Sequence, residues 1–309
     1  MKPLIIIAGP TATGKSDAAL ELADFLETEI VSADSMQVYK QMDIGTAKPS
    51  KAELSKIKHH MIDIVDPDYP FNAAIYYKQA KAAIDSIHQK AKTPILVGGT
   101  GFYINALFYG NVFESDGDAL GENHFHIRNE LSKCSPGDLF SELLNVDPEY
   151  AKTTHQNNVK RVIRALSYYL ETGERFSLYN SRSKEGRTPV YDSKFFILNC
   201  DRDKLYYRIN IRVDKMISDG LIEEVEALIK SGVSPGATSM QGLGYKEVCA
   251  YLLGSTNKQE AINMIKQGSR RFAKRQITWF KNQASGTWLD VAAYSDSAAI
   301  ARVIMNYKA

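Results

Sequence analysis

A glycine-rich segment near the N-terminus limits the possible folds of this chain more than any other feature. Residues Gly9–Ser16 read GPTATGKS and match the pattern G-x-x-x-x-G-K-[ST] at every fixed position. They follow the apolar run Leu4–Ala8 and precede a helical stretch, which is the context that the pattern requires. In such a loop the backbone N–H groups surround a diphosphate, Lys15 adds a positive charge and the Ser16 hydroxyl can hold Mg²⁺. The pattern predicts a diphosphate site made of Gly9, Pro10, Thr11, Ala12, Thr13, Gly14, Lys15 and Ser16.

Short apolar runs alternate with longer helical stretches over the first hundred residues. Each run is rich in β-branched residues and is followed by turn formers. The four runs are Leu4–Ala8, Glu29–Ala33, Met61–Val65 and Pro94–Val97. Helical stretches over Lys15–Leu26 and Ala73–Lys90 separate some of them. This alternation predicts four parallel strands connected through helices.

The alternation stops after the fourth run. Residues from about 111 to 187 are charged and helical in pattern and contain no long β-branched run. A fifth apolar run, Phe195–Leu198, then precedes the helical segment Arg202–Ile217. We therefore predict an α/β fold: a P-loop NTPase-like core with a mainly parallel sheet, plus an inserted all-helical domain. The core is expected to comprise residues 1–110 and 191–309, with further helices near the C-terminus, and the insertion residues 111–190.

Composition excludes several classes of protein. Apolar residues make up 44% of the chain and charged residues 24%, which is typical of folded, soluble proteins. The longest apolar runs are too short to span a membrane, so we expect a cytoplasmic protein with no membrane partner. The cysteines Cys134, Cys200 and Cys249 are far apart, and we expect them to be reduced. A net charge of +2 does not by itself indicate a nucleic-acid partner.

An acidic residue follows the second apolar run. Asp34 is expected at the carboxyl edge of the sheet, where ligands of parallel α/β proteins bind. The fourth run ends instead in Gly98–Gly101, without the Mg²⁺-binding aspartate that many ATPases carry after a strand. Asp34 is thus either a catalytic base or a cap of a turn or helix. Asp63 and Asp66 are read as turn or capping residues.

A cationic segment near the C-terminus contains no acidic residue between Ala261 and Leu289. At about 100° per residue its six cations fall within one half of a helix. They are Lys266, Arg270, Arg271, Lys274, Arg275 and Lys281. Most of the other half is apolar: Ile262, Ile265, Phe272, Ala273, Trp279 and Phe280, with Ile277 as the exception. The pattern favours contact with RNA phosphates over an ordinary solvated face.

A shorter basic stripe lies in the predicted insertion. It consists of Lys160, Arg161 and Arg164. Two basic elements of this kind could clamp an RNA stem-loop, but for this stripe alone a solvated helix face explains the pattern nearly as well.

Several blocks of the sequence resemble the bacterial tRNA dimethylallyltransferases in order and spacing. Besides Gly9–Ser16, they are SADSMQVY (Ser32–Tyr39), DIGTAKP (Asp43–Pro49), GGTGFY (Gly98–Tyr103), KRVIRAL (Lys160–Leu166), GYKE (Gly244–Glu247) and RRFAKRQITWF (Arg270–Phe280). The resemblance covers nearly the whole chain. It implies transfer of a dimethylallyl group from dimethylallyl diphosphate to N6 of the adenosine just 3′ of the tRNA anticodon.

The resemblance also implies roles for individual residues. The loop Gly9–Ser16 would hold the leaving diphosphate, and Ser16 would hold Mg²⁺. Asp34 would act as the base, with Thr13 and Arg128 as further catalytic residues. The tRNA anticodon stem-loop would contact Asp34, Ser35, Met36, Gln37, Thr100, Lys160, Arg161, Val162, Ile163, Arg164, Arg270, Arg271, Lys274 and Arg275. We expect the chain to act as a monomer.

Three other functions are compatible with parts of the pattern. An adenylate isopentenyltransferase has a similar core but needs no long basic helix. A nucleoside or nucleotide kinase would use the same loop for ATP and Asp34 to activate a hydroxyl. A noncatalytic RNA-binding protein would retain the loop only as part of its structure. The intact loop together with Asp34 argues against the noncatalytic protein, and the missing strand-end aspartate and the family-like blocks argue against the kinase.

Overall fold

The computed structural model describes residues 1–110, 122–182 and 188–307. The chain divides into two compact units. The first unit comprises Met1–Asn111 and Pro189–Ala309, and the second comprises Val112–Thr188.

A six-stranded sheet forms the centre of the first unit. Its strands are β1 (Pro3–Ala8), β2 (Ile30–Ser32), β3 (His59–His60), β4 (Ile95–Gly98), β5 (Asp192–Asn199) and β6 (Thr287–Asp290). They follow the order β3-β2-β4-β1-β5-β6, and every neighbouring pair is parallel. In the register, Ile5 of β1 lies beside Ile95 of β4 and Lys194 of β5. The predicted α/β class with a mainly parallel sheet is confirmed.

Fourteen helices accompany the sheet in the described part of the chain. The first unit contains α1 (Lys15–Phe25), α2 (Lys51–Lys56), α3 (Ala73–Gln89), α4 (Gly101–Phe108), α10 (Arg202–Ser218), α11 (Leu221–Lys230), α12 (Tyr245–Leu252), α13 (Lys258–Gln283) and α14 (Ser297–Asn306). The second contains α5 (Glu122–Ser132), α6 (Pro136–Val146), α7 (Pro148–Lys152), α8 (Val159–Thr172) and α9 (Phe176–Arg182).

Two apolar clusters cover the opposite faces of the sheet. Side chains along a strand alternate between faces, so Leu4 and Ile6 of β1 pack in one cluster and Ile5 and Ile7 in the other. Helices α3 and α4 contribute to the first cluster, and α1, α10 and α14 to the second. Helix α13 contributes to both, through Ile265 and Phe280 on one side and Ala273 on the other.

The third predicted strand was placed wrongly. Strand β3 contains His59 and His60, not Met61–Val65. Met61 and Asp63 adopt positive φ angles of 65° and 54°, which are incompatible with a continuous strand. After this turn, Val65 makes only an isolated parallel bridge with Tyr39.

The C-terminal strand was not predicted, and the basic helix ends before the acid-free segment does. Helix α13 ends at Gln283, and Ala284 is extended, with φ −131° and ψ 138°. Leu289 therefore belongs to β6, which pairs with β5. The segment Thr287–Asp290 contains a single β-branched residue, so its strand depends on pairing with β5 more than on local propensity.

The two ends of the inserted segment meet in the first unit. The backbone N–H of Val190 donates a hydrogen bond to the carbonyl of Phe108 at 3.0 Å. Gly110 has a positive φ of 61°, and a Cβ there would lie 2.8 Å from the Val190 side chain. The chain thus leaves and re-enters the core at one place.

A separate apolar core holds the second unit together. Its buried side chains come from α6, α7, α8 and α9 and include Leu143, Val162, Leu166 and Phe176. The regular elements of residues 122–182 are all helices.

The helices and the cysteines bear on two expectations that were drawn from composition. None of the helices in the described ranges is long and apolar enough to cross a membrane. All three cysteines are free: Cys134 is exposed, and Cys200 and Cys249 are buried.

Candidate active site

The loop Gly9–Ser16 connects β1 to α1 at the carboxyl edge of the sheet. Gly9 has a φ of 141°, and a Cβ there would lie 2.2 Å from the Leu198 carbonyl oxygen of β5, so only glycine fits. Two side chains of the loop bond to the Pro10 carbonyl oxygen: the Thr13 hydroxyl donates at 2.9 Å and Lys15 Nζ at 2.5 Å. Thr13 is 1% exposed, so its hydroxyl stabilises the conformation of the loop through this internal bond.

Two cations and one carboxylate define the electrostatics of the site. Burial and, to a smaller extent, nearby Arg212 lower the pKa of Lys15 to about 7, and Asp34 partly opposes them. Burial likewise lowers the pKa of Arg212, opposed by Asp34 and Asp17. Because the two buried cations repel each other, an anion bound between them would be stabilised.

Asp34 lies directly after β2 and takes part in a local turn. Its Oδ1 accepts a hydrogen bond from the backbone N–H of Met36 at 2.9 Å. The Ser35 N–H donates to Thr100 Oγ1 at 3.1 Å, and the Thr100 N–H donates to the Ala33 carbonyl at 3.1 Å. The structure therefore brings together Asp34, Ser35, Met36 and Thr100, although they come from two loops. Asp34 both caps the turn and lines a pocket with Lys15.

Gln37 is committed to contacts inside the protein. It is 9% exposed, and its Oε1 accepts from the Ser32 hydroxyl at 2.9 Å. Its Nε2 donates to the carbonyls of Thr46 and Ala47, each at 3.3 Å. The Gln37 amide thus connects the end of β2 with the backbone of residues 46 and 47.

The diphosphate loop lies between a small pocket and a larger cleft. The inner pocket, of about 80 Å³, contains Asp34 and Gln37. The outer cleft, of about 930 Å³, extends past Arg208 and Lys215 of α10. Both cavities are lined by Lys15, Ser16, Ala47, Pro49 and Arg212. A diphosphate on the loop would therefore reach both cavities.

An internal carboxylate shapes the loop 43–48 that borders both cavities. Glu224 of α11 accepts hydrogen bonds from the backbone N–H groups of Asp43 (2.8 Å), Ile44 (2.7 Å) and Gly45 (3.2 Å). The Tyr245 hydroxyl donates to the same carboxylate at 2.7 Å. These contacts connect the Asp43–Pro49 block of the sequence with the Gly244–Glu247 block.

The two other candidate carboxylates have ion-pair partners. Asp63 accepts from Lys48 Nζ at 2.5 Å, and that ammonium also bonds to Asp43 at 2.7 Å. Asp66 pairs with Lys40 at 3.1 Å. Asp63 does lie in a turn, as predicted, but both side chains form ion pairs rather than caps.

The sequence reasoning missed two residues of the site, Arg212 and Gln276. Arg212 lies on the same face of α10 as the buried Leu205 and Ile209, so a cation on an apolar helix face was the signal available. Gln276 of α13 is 7% exposed and bonds to both neighbouring loops. Its Oε1 accepts from the Thr11 N–H at 3.0 Å, and its Nε2 donates to the Gly99 carbonyl at 2.9 Å.

The six predicted cations, which all lie on α13, fall into two groups. Lys266 pairs with Asp214 at 2.6 Å and Arg270 donates to Asn210 at 2.6 Å, so both are engaged with α10. The four others, Arg271, Lys274, Arg275 and Lys281, are exposed. Three of these line an open groove of about 540 Å³ together with Trp279: Arg271, Lys274 and Arg275.

Two apolar residues of α13 do not lie where the helical pattern placed them. Phe272 is 38% exposed and carries the Arg275 guanidinium 5.8 Å from its ring centre. Ile277 packs against the second apolar cluster rather than being an exception. Both differences arise because α13 packs against two clusters and so has apolar contacts on more than one side.

The remaining predicted residues belong to the second unit. Arg128 on α5 is exposed, as are Lys160 and Arg161 at the start of α8. The Arg164 guanidinium lies 5.3 Å from the Phe176 ring centre. The side chains of two further predicted tRNA contacts, Val162 and Ile163, are buried in that unit's core.

A metal site formed by protein side chains alone is not found among the described residues. No group of three or more His, Cys, Asp or Glu side chains in these ranges is arranged to hold an ion. Ser16 is exposed at the start of α1 and lines both cavities. A single hydroxyl of this kind fits Mg²⁺, which takes few protein ligands when phosphate oxygens supply others.

Comparison with known proteins identifies the family. The sequence profile described as IPP transferase matches residues 37–283. A tRNA dimethylallyltransferase of Caldanaerobacter subterraneus subsp. tengcongensis is 46% identical over 99% of this chain and 97% of its own length. The crystal structure of a tRNA isopentenylpyrophosphate transferase from Staphylococcus epidermidis has a TM-score of 0.72 at 39% identity, covering 99% of this chain and 98% of that one.

A more distant structure has a similar fold. A eukaryotic dimethylallyltransferase acting on tRNA has a TM-score of 0.82 at 30% identity, covering 98% of this chain and 78% of that chain. The resemblance seen in the sequence blocks is therefore confirmed over almost the whole length. The chain belongs to the IPP transferase family.

Proposed function

We propose that this chain is a tRNA dimethylallyltransferase. It transfers a dimethylallyl group from dimethylallyl diphosphate to N6 of the adenosine just 3′ of the tRNA anticodon and releases diphosphate. One observation carries the proposal: Lys15, Arg212 and Asp34 surround a single pocket. Two cations suit a diphosphate leaving group, and a carboxylate beside them suits the activation of a nucleophile. The names of the relatives agree with this chemistry.

The cations and the loop amides stabilise the leaving group. An allylic carbon spreads positive charge as its C–O bond breaks, so the main requirement is stabilisation of the departing diphosphate. Fixed donors meet it best because they need no reorganisation during the reaction. Lys15 supplies a point charge, and Arg212 supplies a planar fork that can bond two oxygens. Arg128 remains a prediction from the resemblance, whereas Arg212 lines the pocket itself.

Asp34 activates the adenine. The N6 lone pair is delocalised into the ring, so N6 is a poor nucleophile. A carboxylate that accepts an N6 hydrogen bond raises its nucleophilicity and takes the proton as the new C–N bond forms. Asp34 has the pocket position for this role, while Ser35 and Thr100 border the same turn. The electron pair of the broken C–O bond stays on the oxygen of the departing diphosphate.

Ser16 is the residue that would hold Mg²⁺. When bound, the ion would neutralise charge on the diphosphate oxygens. Ser16 lines both cavities from the diphosphate loop, whereas Asp34 lies after β2, so the two residues can hold Mg²⁺ and act as the base separately.

The exposed cations of α13 form the proposed RNA surface. Arg271, Lys274 and Arg275 present three charges around a groove that also contains Trp279. Phosphate contacts of this kind position an RNA without reading its sequence. Because a base stacked in the RNA cannot reach a carboxylate inside a pocket, the adenosine must be extruded into the pocket. We also propose contacts from the basic stripe Lys160–Arg164, and activity as a monomer because Lys15, Arg212 and Asp34 come from one chain.

The test uses dimethylallyl diphosphate labelled in its carbon chain. The protein is incubated with this donor, Mg²⁺ and either unmodified tRNA transcript or AMP. The proposal is supported if label appears in the tRNA and does not appear when the target adenosine is replaced by guanosine. Label in AMP alone would indicate an adenylate isopentenyltransferase, and ADP formation from ATP with a nucleoside acceptor would indicate a kinase.

A further inference from the structure

Gln276 bonds both to the diphosphate loop and to the loop after β4. Its carbonyl oxygen accepts from the Thr11 N–H, and its NH₂ group donates to the Gly99 carbonyl. Only one orientation of the amide satisfies both bonds, because Thr11 offers a donor and Gly99 an acceptor. The side chain is 7% exposed, so water does not readily replace either bond.

The glycine at position 99 supports the importance of this contact independently. A Cβ at Gly99 would lie 2.2 Å from Gln276 Nε2 and 3.4 Å from the Gly9 carbonyl oxygen. Any other residue would therefore displace the amide. The close approach of the two loops thus depends on Gly99 and Gln276 together.

From Gly99 the contacts continue to the adenine side of the pocket. The next residue, Thr100, bonds to Ala33 through its N–H and to the Ser35 N–H through its hydroxyl. Ala33 and Ser35 flank Asp34 in the sequence. A chain of hydrogen bonds therefore runs from the diphosphate loop through Gln276 to the backbone that holds Asp34.

We infer that Gln276 is a positioning residue for the transfer reaction: it sets the spacing between the loop that holds the diphosphate and the loops that hold the adenine. This inference rests on the proposed function. Gln276 need not touch the reacting atoms. It determines whether the donor carbon and N6 meet at reacting distance, where a small misplacement is costly.

Two variants separate the two bonds of the bridge. Gln276→Leu removes both bonds at similar volume. Gln276→Glu retains an acceptor for the Thr11 N–H but places a carboxylate oxygen against the Gly99 carbonyl. Ser269→Ala is the matched control, because Ser269 is 8% exposed and lies seven residues earlier on the same face of α13. Gln267→Glu, at an exposed position of the helix, controls for the added charge.

The first measurement is single-turnover transfer to tRNA at saturating substrate concentrations. Both Gln276 variants should be slower by about 10-fold or more, the effect expected when buried polar groups lose their partners. The Michaelis constants for tRNA and donor should change by less than about 3-fold. Both controls should react at the wild-type rate. Wild-type rates in the Gln276 variants, or a loss seen only in the Michaelis constants, would overturn the inference.

The second measurement does not depend on activity. Amide hydrogen exchange is followed in peptides that contain Thr11, with thermal unfolding recorded to exclude global destabilisation. Gln276→Leu should speed exchange at Thr11, whereas Gln276→Glu and Ser269→Ala should not. Unchanged exchange in Gln276→Leu would show that the bridge does not hold the loop. If the wild-type protein failed to transfer the prenyl group, the proposed function would fall, and this measurement would still decide whether Gln276 connects the loops.

Discussion

Binding of inorganic pyrophosphate should weaken as the pH rises above about 7. The cause is Lys15, whose pKa is lowered to about 7 by burial and by Arg212. Below that pH the free protein presents a charged ammonium to the ligand. Above it, Lys15 is mostly neutral, and binding must take up a proton before the full attraction is available.

The size of the effect follows from the titration. When only the protonated form binds well, affinity falls tenfold for each pH unit above the pKa of the free protein. At pH 7 about half of Lys15 is protonated and at pH 9 about 1%, so the affinity should fall by roughly 50-fold between these two pH values. An unperturbed lysine, with a pKa near 10.5, would give no loss over this range.

Calorimetric titration at constant Mg²⁺ and ionic strength measures this dependence. Lys15→Met is the control for titration of pyrophosphate itself, and it should bind weakly at all pH values without the decline. In Arg212→Met the decline should begin at a higher pH, because one cause of the lowered Lys15 pKa is removed. Affinity that stays constant in the wild-type protein up to about pH 9, or declines equally in Lys15→Met, would refute the reasoning.

Three further predictions concern catalysis, RNA binding and stability. Asp34→Asn should lower the single-turnover rate by about 100-fold or more while tRNA affinity stays nearly unchanged, and a wild-type rate would exclude the base assignment. Charge reversal in Arg271→Glu/Arg275→Glu should weaken tRNA binding more than pyrophosphate binding. It should also reduce the slope of log tRNA affinity against log salt concentration by roughly 0.7 to 0.9 for each lost phosphate contact. If affinity and slope were unchanged, this face of α13 would be an ordinary solvated surface. Gly98→Ala should lower the free energy of unfolding in urea by about 1–3 kcal/mol or more, because its Cβ would lie 2.2 Å from a backbone oxygen; Gly137→Ala, without such a contact, should be nearly neutral.

The parts of the fold that local pattern determines were predictable from the sequence. The predicted runs that became β1, β2, β4 and β5 end within three residues of the observed strand ends, because each contains a short, continuously buried apolar run. The diphosphate loop was predictable because its glycines and Lys15 are contiguous in the chain. Strand β6 was not, since its pairing partner β5 supplies what its own composition lacks.

The composition of the pocket depends on contacts that no local pattern reports. Arg212 lies 178 positions after Asp34, and Gln276 lies 265 positions after Thr11. Within α10, Arg212 shares a face with the buried Leu205 and Ile209, whereas Arg208 is exposed, but that pattern does not report which residues of other elements Arg212 meets. Only the packing of α10 and α13 against the sheet edge brings these polar side chains to the pocket.

The bond between Phe108 and Val190 has a consequence for the length of the inserted segment. About 80 residues lie between these positions, yet their backbones meet at 3.0 Å. Because the entropy of closing a loop grows only with the logarithm of its length, doubling or halving the segment changes that cost by about 0.6 kcal/mol. Loop closure therefore places almost no limit on the length of the inserted segment, which is constrained instead by the apolar core that its own helices form.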